Sequence, residues 1–256
     1  MGNLQVKKEP VLGFEVDLFS FDEALQNVHQ HLKENQGLHI VTINPEMIIE
    51  GNKNDRFGRV LNNAGLTVPD GVGIKIALKI KGINQETVPG VEFAKKIASI
   101  CALDGYSVGL FGAKEEIVQL AAKKLREECE NLNITYIRNG YFSESDVNII
   151  KEELKAISPR VLFVALGSPK QEMIISELKE EMPNTIFIGV GGSFDVWSGV
   201  VQRAPEIYQK LGLEWLYRTV KEPSRFKRIF PTLPLFLIQV IMETVNEKIR
   251  EKIRGV

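Results

Sequence analysis

The chain has 256 residues, of which 44% are hydrophobic and 25% charged, and its formal net charge is −1. This composition is typical of a globular protein with a sizeable core, and the length suits one large domain or one domain with an appendage. The near-zero net charge provides no overall field that would recruit nucleic acid. The two cysteines are predicted to be reduced and partly buried. The three histidines show no metal-ligand spacing, and we assign them to solvated helix faces.

Strand and helix patterns alternate along the first 199 residues. Apolar, β-branched runs predict strands, and apolar residues at every third or fourth position predict helices. The first helix begins with Ser20-Phe21-Asp22-Glu23, which has the spacing of a capping box. Predicted strands cover 11–17, 39–44, 107–111, 134–137, 161–166 and 185–190, and predicted helices cover about 20–35, 45–63, 91–103, 114–130, 146–157 and 171–181.

Continuous apolar strands between amphipathic helices predict a Rossmann-like α/β fold, in which a mostly parallel sheet carries helices on both faces. Ligands bind such sheets beyond the carboxyl ends of the strands. The turns after the predicted strands are therefore the places where we expect a functional site. Four such turns begin at Asn44, Gly112, Gly167 and Gly191.

The character of the chain changes at about residue 200. A helical stretch over 211–220 is followed by a basic segment, and Pro231 and Pro234 then lead into a long amphipathic pattern. Its apolar stripe consists of Ile238, Ile241, Val245, Ile249 and Ile253. A basic segment beside an apolar stripe is typical of a membrane-surface patch, while the longest apolar run, 233–242, is too short to span a bilayer. The sequence thus predicts an α/β core over 1–199 and a helical, membrane-associating appendage over 200–256.

The most glycine-rich turn is Gly189-Val190-Gly191-Gly192, which follows a buried strand pattern. Such turns leave backbone N–H groups available to hold phosphate groups. Phe194 occupies the position where a dinucleotide fingerprint needs its third glycine, so ordinary NAD binding is disfavoured. Asp195 either binds a ligand hydroxyl or braces the turn.

Two polar residues at strand ends each have a structural and a functional interpretation. Asn44 precedes Pro45, so it either caps a helix or hydrogen-bonds a polar ligand. Asp70, in Pro69-Asp70-Gly71-Val72-Gly73, is either a helix cap or a general base. A free aspartate has a pKa of about 3.9, so a base working near neutral pH needs burial to raise that pKa.

The segment Gly167-Ser168-Pro169-Lys170-Gln171-Glu172 follows the strand pattern at 161–166. Pro169 suits the first turn of a helix, whose N-terminus would face an anion. A plain strand–helix junction accounts for the glycine, serine and proline but not for the Lys-Gln pair. Gln171 is therefore a candidate for reading a sugar or a base edge.

Several catalytic signatures are absent from the sequence. It contains no Asp-x-Asp, Walker loop, nucleophile elbow or Cys-x-x-Cys motif. These absences disfavour most kinases, hydrolases and redox enzymes, and they disfavour the metal-bound nucleotide-sugar site of many glycosyltransferases.

Taken in order, the motifs resemble the bacterial WecG/TagA/CpsF glycosyltransferase family. The matching segments are Thr42-Ile43-Asn44, Pro69 to Gly73, Val88-Pro89-Gly90, Gly167 to Glu172, Gly189 to Gly192 with Asp195, Arg203-Ala204-Pro205, Gly212 to Arg218, and Glu222-Pro223 with Arg225 and Arg228. The resemblance implies transfer of N-acetylmannosamine from a UDP donor to the 4-hydroxyl of GlcNAc on undecaprenyl diphosphate. The implied product is the β-linked disaccharide lipid of wall teichoic acid synthesis, formed with inversion and without a metal or other cofactor.

The resemblance also implies roles for individual residues. Asp70 is the expected base, and Thr42 and Asn44 are expected to hold sugar or acceptor hydroxyls. Since the leaving diphosphate gains negative charge in the transition state, backbone amides that point towards it and nearby cations should stabilise it. The remaining expected substrate contacts are Gly71, Gln171, Gly191, Gly192, Asp195, Arg218, Arg225 and Arg228.

The resemblance implies a cytoplasmic protein that attaches peripherally to the inner leaflet of the cell membrane. The sequence does not determine whether the protein forms a homo-oligomer. Two alternatives stand beside this interpretation. One keeps the family and changes the UDP-hexose donor, because pocket residues alone do not discriminate donors that differ at one group. The other is a non-catalytic nucleotide-binding module at the membrane surface.

Overall fold

The architecture was obtained as a computed structural model, which describes residues 7–202, 204, 205, 208, 217 and 226–254. The strands are β1 Lys8–Val11, β2 Phe14–Asp17, β3 Leu38–Ile43, β4 Leu66–Pro69, β5 Ser107–Gly112, β6 Asn133–Arg138, β7 Val161–Ala165 and β8 Ile186–Gly189. The helices are α1 Phe21–Lys33, α2 Pro45–Gly51, α3 Asp55–Asn62, α4 Gly71–Ile80, α5 Gly90–Asp104, α6 Glu115–Glu128, α7 Val147–Ile157, α8 Lys170–Glu181, α9 Ser193–Trp197 and α10 Phe226–Arg254.

Six strands form one parallel sheet in the order β4-β3-β8-β7-β5-β6, and β1 and β2 form a separate antiparallel hairpin. Side chains alternate along each strand, so Ile186 and Ile188 face one hydrophobic cluster while Phe187 faces another. Helices α1, α5 and α6 cover the first face, and α2, α3, α4, α7 and α8 cover the second. The predicted Rossmann-like α/β fold is confirmed.

Several predicted elements have different boundaries in the structure. The single strand predicted over 11–17 is wrong, because Leu12 and Gly13 form a turn with φ of +50° and +86° between β1 and β2. The helix predicted over 45–63 is two helices, since the Asn54 side chain caps α3 by accepting from Phe57 N at 3.1 Å. The short strand β4 is missing from the predicted strand ranges, although Asp70 is expected at a strand end. The capping box at Ser20 and Glu23 is confirmed.

The structure shows how deeply the cysteines and His39 are buried, which can be compared with the predictions from the sequence. Cys101 and Cys129 are free thiols, as predicted, but both are buried rather than partly buried. Assignment of every histidine to a solvated helix face is wrong for His39, which lies in β3 and is 4% exposed. Burial lowers the pKa of its imidazole to about 3, because a charged ring is costly to desolvate.

Helix α10 packs against α2 and α4, and Phe236 and Val240 are fully buried in the same cluster as those helices. Lys81 is the C-cap residue of α4, and its side chain, only 4% exposed, lies 3.0 Å from Glu247, 3.6 Å from Glu243 and 3.5 Å from Glu9. The helix begins ahead of Pro231 and Pro234 and runs through both. The boundary near residue 200 stays a prediction, but the described part of the predicted appendage shares its core with the sheet.

The apolar stripe predicted in α10 is its outward face. Ile238, Ile241 and Val245 are 55%, 48% and 48% exposed, whereas Phe236, Val240 and Thr244 are buried on the other side of the helix. Among the described residues, no helix is both long enough and apolar enough to cross a membrane.

Candidate active site

The carboxyl ends of β3 and β4 place Asn44 and Asp70 side by side. Ile43 pairs with Pro69 in the parallel register, and Asp70 N donates to Ile43 O at 2.9 Å. The two polar residues therefore leave adjacent strands at the same level, at the sheet edge where ligands of parallel sheets bind.

Asn44 does cap a helix, as its structural interpretation predicts. It is the N-cap of α2, and its Oδ1 accepts from Met47 N at 3.1 Å. This bond occupies the carbonyl end of the side chain and leaves the amide Nδ2 as a donor. Capping and a ligand contact are thus compatible, because they use different atoms of one carboxamide.

Asp70 stands at the N-cap position of α4, yet its side chain makes no capping hydrogen bond. Gly71 follows with φ of +79°, a conformation that costs glycine little. The helix-cap interpretation of the Asp70 carboxylate is therefore not supported, and the half-buried side chain lines two adjoining cavities.

The larger of these cavities, of about 370 Å³, brings most of the predicted site residues together. Thr42 lines it from β3, Asn44 and Asp70 from the positions directly after β3 and β4, and Gln171 from α8. Its other lining residues include Gly90, Gly167, Ser168, Gly189, Gly191 and Gly192. Small residues and polar side chains dominate this wall, so the cavity suits a polar ligand rather than a hydrocarbon.

The smaller cavity, of about 150 Å³, lies between α2, α4 and α10 and is lined mainly by apolar surface. Its wall includes Asp70, Gly71 and Leu233. A Cβ on Gly73 would lie 2.4 Å from Pro45 Cγ and 2.9 Å from Leu233 Cδ1. Glycine at this position therefore lets α10 approach the end of β4, which puts an apolar helix beside the candidate base.

The glycine turn after β8 is held by a buried pair of side chains. Gly191 has φ of +47°, and its N–H donates to Gln171 Oε1 at 3.0 Å. Gln171 Nε2 in turn donates to Glu172 Oε1 at 2.7 Å. The Gly191 amide is thus already paired with protein, contrary to the expectation that this turn leaves its amides open. Gly192 is exposed and remains the better candidate for an anion contact.

Glu172 was quoted as part of a motif but given no role by the sequence. It is 2% exposed, and burial raises the pKa of its carboxyl above the usual range while hydrogen bonds to Gln171 and Ser168 act against the rise. A Cβ on Gly189 would lie 2.5 Å from Gln171 Nε2 and 2.9 Å from Glu172 Oε1. This close approach explains why the strand ends in glycine.

Some predicted residues are not brought into the cavity by the described structure. Asp195 lies half-buried in α9, where its backbone carbonyl accepts from Ser198 Oγ at 2.9 Å. Arg218 and Arg225 lie outside the described residues, and for Arg228 the description covers only its place in the first turn of α10. Their predicted contact with the substrate stays a prediction. Across the described ranges, no three His, Cys, Asp or Glu side chains are grouped as metal ligands.

The sequence over residues 9–250 matches the profile described as Glycosyl transferase WecG/TagA/CpsF family. The chain belongs to this glycosyltransferase family. It is 30% identical over 233 residues to the N-acetylglucosaminyldiphosphoundecaprenol N-acetyl-β-D-mannosaminyltransferase of Bacillus subtilis (strain 168), covering 91% of this chain and 89% of that protein. The protein of the same name from Bacillus spizizenii is 30% identical over 240 residues, covering 93% of this chain and 91% of that protein. That from Staphylococcus aureus (strain MW2) is 29% identical over 236 residues, covering 91% and 92%.

Proposed function

We propose that this glycosyltransferase moves N-acetylmannosamine from UDP-N-acetylmannosamine to the 4-hydroxyl of GlcNAc on undecaprenyl diphosphate, with inversion. The names of the related proteins described above support the acceptor and the transferred sugar. The observation that carries the proposal is the position of Asp70, whose side chain lines both the polar cavity and the apolar cavity beside α10. A carboxylate at that junction suits a reaction between a polar donor and a lipid-linked acceptor.

In the proposed reaction Asp70 accepts the proton of the acceptor 4-hydroxyl as that oxygen bonds to C1 of the donor sugar. The bond from C1 to the diphosphate oxygen breaks on the opposite face, so one displacement gives inversion. We propose that Asn44 Nδ2 and the Thr42 hydroxyl hold sugar hydroxyls; this role is supported by the fact that both residues line the polar cavity. General-base catalysis of this kind contributes about 10²–10⁴ in rate.

The departing UDP carries the charge that develops in the transition state. Preorganised donors near that charge lower the barrier because they need no reorganisation when the bond breaks. Ser168 and the exposed Gly192 border the polar cavity from two neighbouring strand ends. We propose that they contact the diphosphate, with Arg218, Arg225 and Arg228 as additional cations and with no metal required.

We further propose that the enzyme works at the cytoplasmic membrane surface. The outward face of α10 carries exposed apolar side chains, among them Ile238, Ile241, Val245 and Ile249. On the inward side of the same helix, Leu233 lines the apolar cavity beside Asp70. A helix that lies in the interface would therefore bring the headgroup of a lipid-linked acceptor close to the candidate base.

Transfer of labelled sugar from UDP-N-acetylmannosamine to a GlcNAc-diphosphoryl-lipid analogue, with EDTA present, tests the proposal. Asp70→Asn should lose about 10²–10⁴ in kcat while UDP still binds. Asp22→Asn, an exposed aspartate in the first turn of α1, is the matched control. Transfer by Asp70→Asn at the wild-type rate would refute the assignment of the base.

The same assay separates the alternative functions. If wild-type protein transfers glucose, galactose or N-acetylmannosaminuronic acid instead, the family function stands and the donor is corrected. If it binds UDP but turns over no UDP-sugar on any lipid acceptor, the non-catalytic nucleotide-binding module is the better description.

A further inference from the structure

Glu46 is a carboxylate at the candidate site that the proposed chemistry does not use. It is the second residue of α2, two positions after Asn44, and it is half-buried. It lines the polar cavity and the apolar cavity, as Asp70 does. It also lines a third cavity, of about 220 Å³, which extends along α2 as far as Lys53. Asn44 is the only other described residue that borders all three cavities.

The packing of two helix starts holds Glu46 near the candidate base. Asn44 and Asp70 follow neighbouring strands, and such strands are about 5 Å apart. Pro45 of α2 and Gly73 of α4 are so close that a Cβ on Gly73 would lie 2.4 Å from Pro45 Cγ. The first turn of α2, which carries Glu46, is therefore fixed against the first turn of α4, which directly follows Asp70. Two carboxylates thus border one reaction space.

The charge of Glu46 limits what it can bind. An ionised carboxylate accepts hydrogen bonds and donates none. A diphosphate carries charge of the same sign, so Glu46 would repel it. Sugar hydroxyls are donors, and a hydrogen bond to a charged acceptor is roughly twice as strong as one between neutral groups. Glu46 therefore suits a sugar hydroxyl and not the diphosphate.

The position of Glu46 favours the acceptor sugar over the donor sugar. The apolar cavity and the third cavity are both bordered by Thr232 of α10, the helix along which we propose that the lipid-linked acceptor approaches. An acceptor GlcNAc that directs its 4-hydroxyl at Asp70 carries the 3-hydroxyl on one neighbouring carbon and the C6 hydroxymethyl group on the other. One of these two hydroxyls is the donor that a second carboxylate beside the base would meet.

We infer that Glu46 is an acceptor-recognition residue. Its carboxylate accepts a hydrogen bond from the 3- or 6-hydroxyl of the acceptor sugar and so sets the 4-hydroxyl against Asp70; this inference rests on the proposed function. Glu46 takes no part in the proton transfer, which belongs to Asp70. A site that pairs a substrate hydroxyl in this way discriminates strongly against an analogue that lacks the hydroxyl.

Transfer to GlcNAc-diphosphoryl-lipid analogues that lack the 3-hydroxyl or the 6-hydroxyl tests this contact. With wild-type protein, one of the two deoxy acceptors should lower kcat/KM by about 10- to 150-fold, the factor for one hydrogen bond to a charged group. Glu46→Ala should lower kcat/KM for the complete acceptor by a similar factor, and it should use the complete and the deoxy acceptor nearly equally. The two losses are then not additive, which identifies a direct contact.

Further variants separate the charge of Glu46 from its place in the helix. Glu46→Gln keeps an acceptor oxygen without the charge and should lose only about 3- to 10-fold in kcat/KM. Glu116→Gln is the matched control, because Glu116 is an exposed glutamate that is likewise the second residue of its helix, α6. No variant should weaken the binding of UDP measured by calorimetry, since UDP lacks the acceptor sugar. Urea unfolding of each variant shows whether it is folded.

The outcomes separate this inference from the proposed function. If wild-type protein transfers no sugar to the complete acceptor, the proposed function is refuted and the contact with it. If it transfers sugar but accepts both deoxy analogues equally well, or if Glu46→Ala discriminates against them as the wild type does, only the role of Glu46 is refuted. A loss of UDP affinity that parallels the loss of kcat/KM would also refute that role, because Glu46 would then act on the donor.

Discussion

Helix α10 has a buried face and an exposed face, and we expect substitutions on the two faces to have different effects even when they are only two residues apart. Substitution on the buried face should reduce folding stability, whereas substitution on the exposed face should reduce membrane binding. Phe236 is fully buried against α2 and α4, while Ile238 is 55% exposed. Truncating a buried phenylalanine to alanine costs about 3–5 kcal/mol, because transfer free energy is lost and a cavity is left. We therefore expect Phe236→Ala to lower the free energy of unfolding by about that amount, a large share of the stability of an ordinary domain.

Substitutions on the outward face of α10 should weaken membrane binding and have little effect on the free energy of unfolding. Complete burial of an isoleucine is worth about 1.5–3 kcal/mol, and Ile238 and Ile241 are 55% and 48% exposed, so about 1 kcal/mol each is available to a membrane. Ile238→Ser with Ile241→Ser should weaken vesicle binding by about 2 kcal/mol, or roughly 30-fold. Its effect on unfolding should stay within about 1 kcal/mol for the pair.

Urea unfolding and co-sedimentation with vesicles containing anionic lipid measure the two effects independently. Phe236→Ala should bind vesicles normally at a urea concentration and temperature at which it is folded. The reasoning is refuted if Phe236→Ala costs less than about 1 kcal/mol of stability, or if the outward pair unfolds the protein while leaving vesicle binding intact. Either result would mean that the buried and exposed faces of α10 have been assigned the wrong way round.

Three further predictions concern stability. Because burial lowers the pKa of His39 to about 3 from about 6.5 in an unfolded chain, the unfolded state takes up the proton first as pH falls below 6.5. Between pH 7.5 and 5 this should remove about 2 kcal/mol, and His39→Leu should abolish that part of the pH dependence in urea unfolding. Gly73→Val should impair both folding stability and sugar transfer, since even a Cβ there would lie 2.4 Å from Pro45 Cγ; equal activity and melting temperature would contradict this. Lys81→Met should lose about 1–3 kcal/mol in chemical denaturation, because its three glutamate partners would be left unbalanced, and an unchanged midpoint would show that the cluster contributes nothing.

Local chemistry in the sequence accounts for most of what was predicted correctly. The alternation of apolar runs with amphipathic segments is set by strand and helix periodicity, so the parallel α/β fold could be inferred before any contact was known. Glycine, proline and capping residues act within a few positions of themselves, which is why Ser20 was placed correctly and why Asn44 and Asp70 were recognised as strand-end residues. The carboxyl ends of parallel strands meet at one edge, so these residues were expected to converge.

The features that could not be predicted from the sequence depend on contacts between distant segments of the chain. The sequence shows an apolar stripe in α10 but not which face is buried, since that depends on the surface that α2 and α4 present to Phe236. It does not show the hydrogen bond from Gly191 to Gln171, 20 positions away. The predicted strand over 39–44 includes His39, but the sequence does not show that packing of the sheet leaves this residue only 4% exposed. Periodicity describes one segment at a time, whereas burial, cavities and hydrogen-bond partners are properties of segments that meet only when the chain has folded.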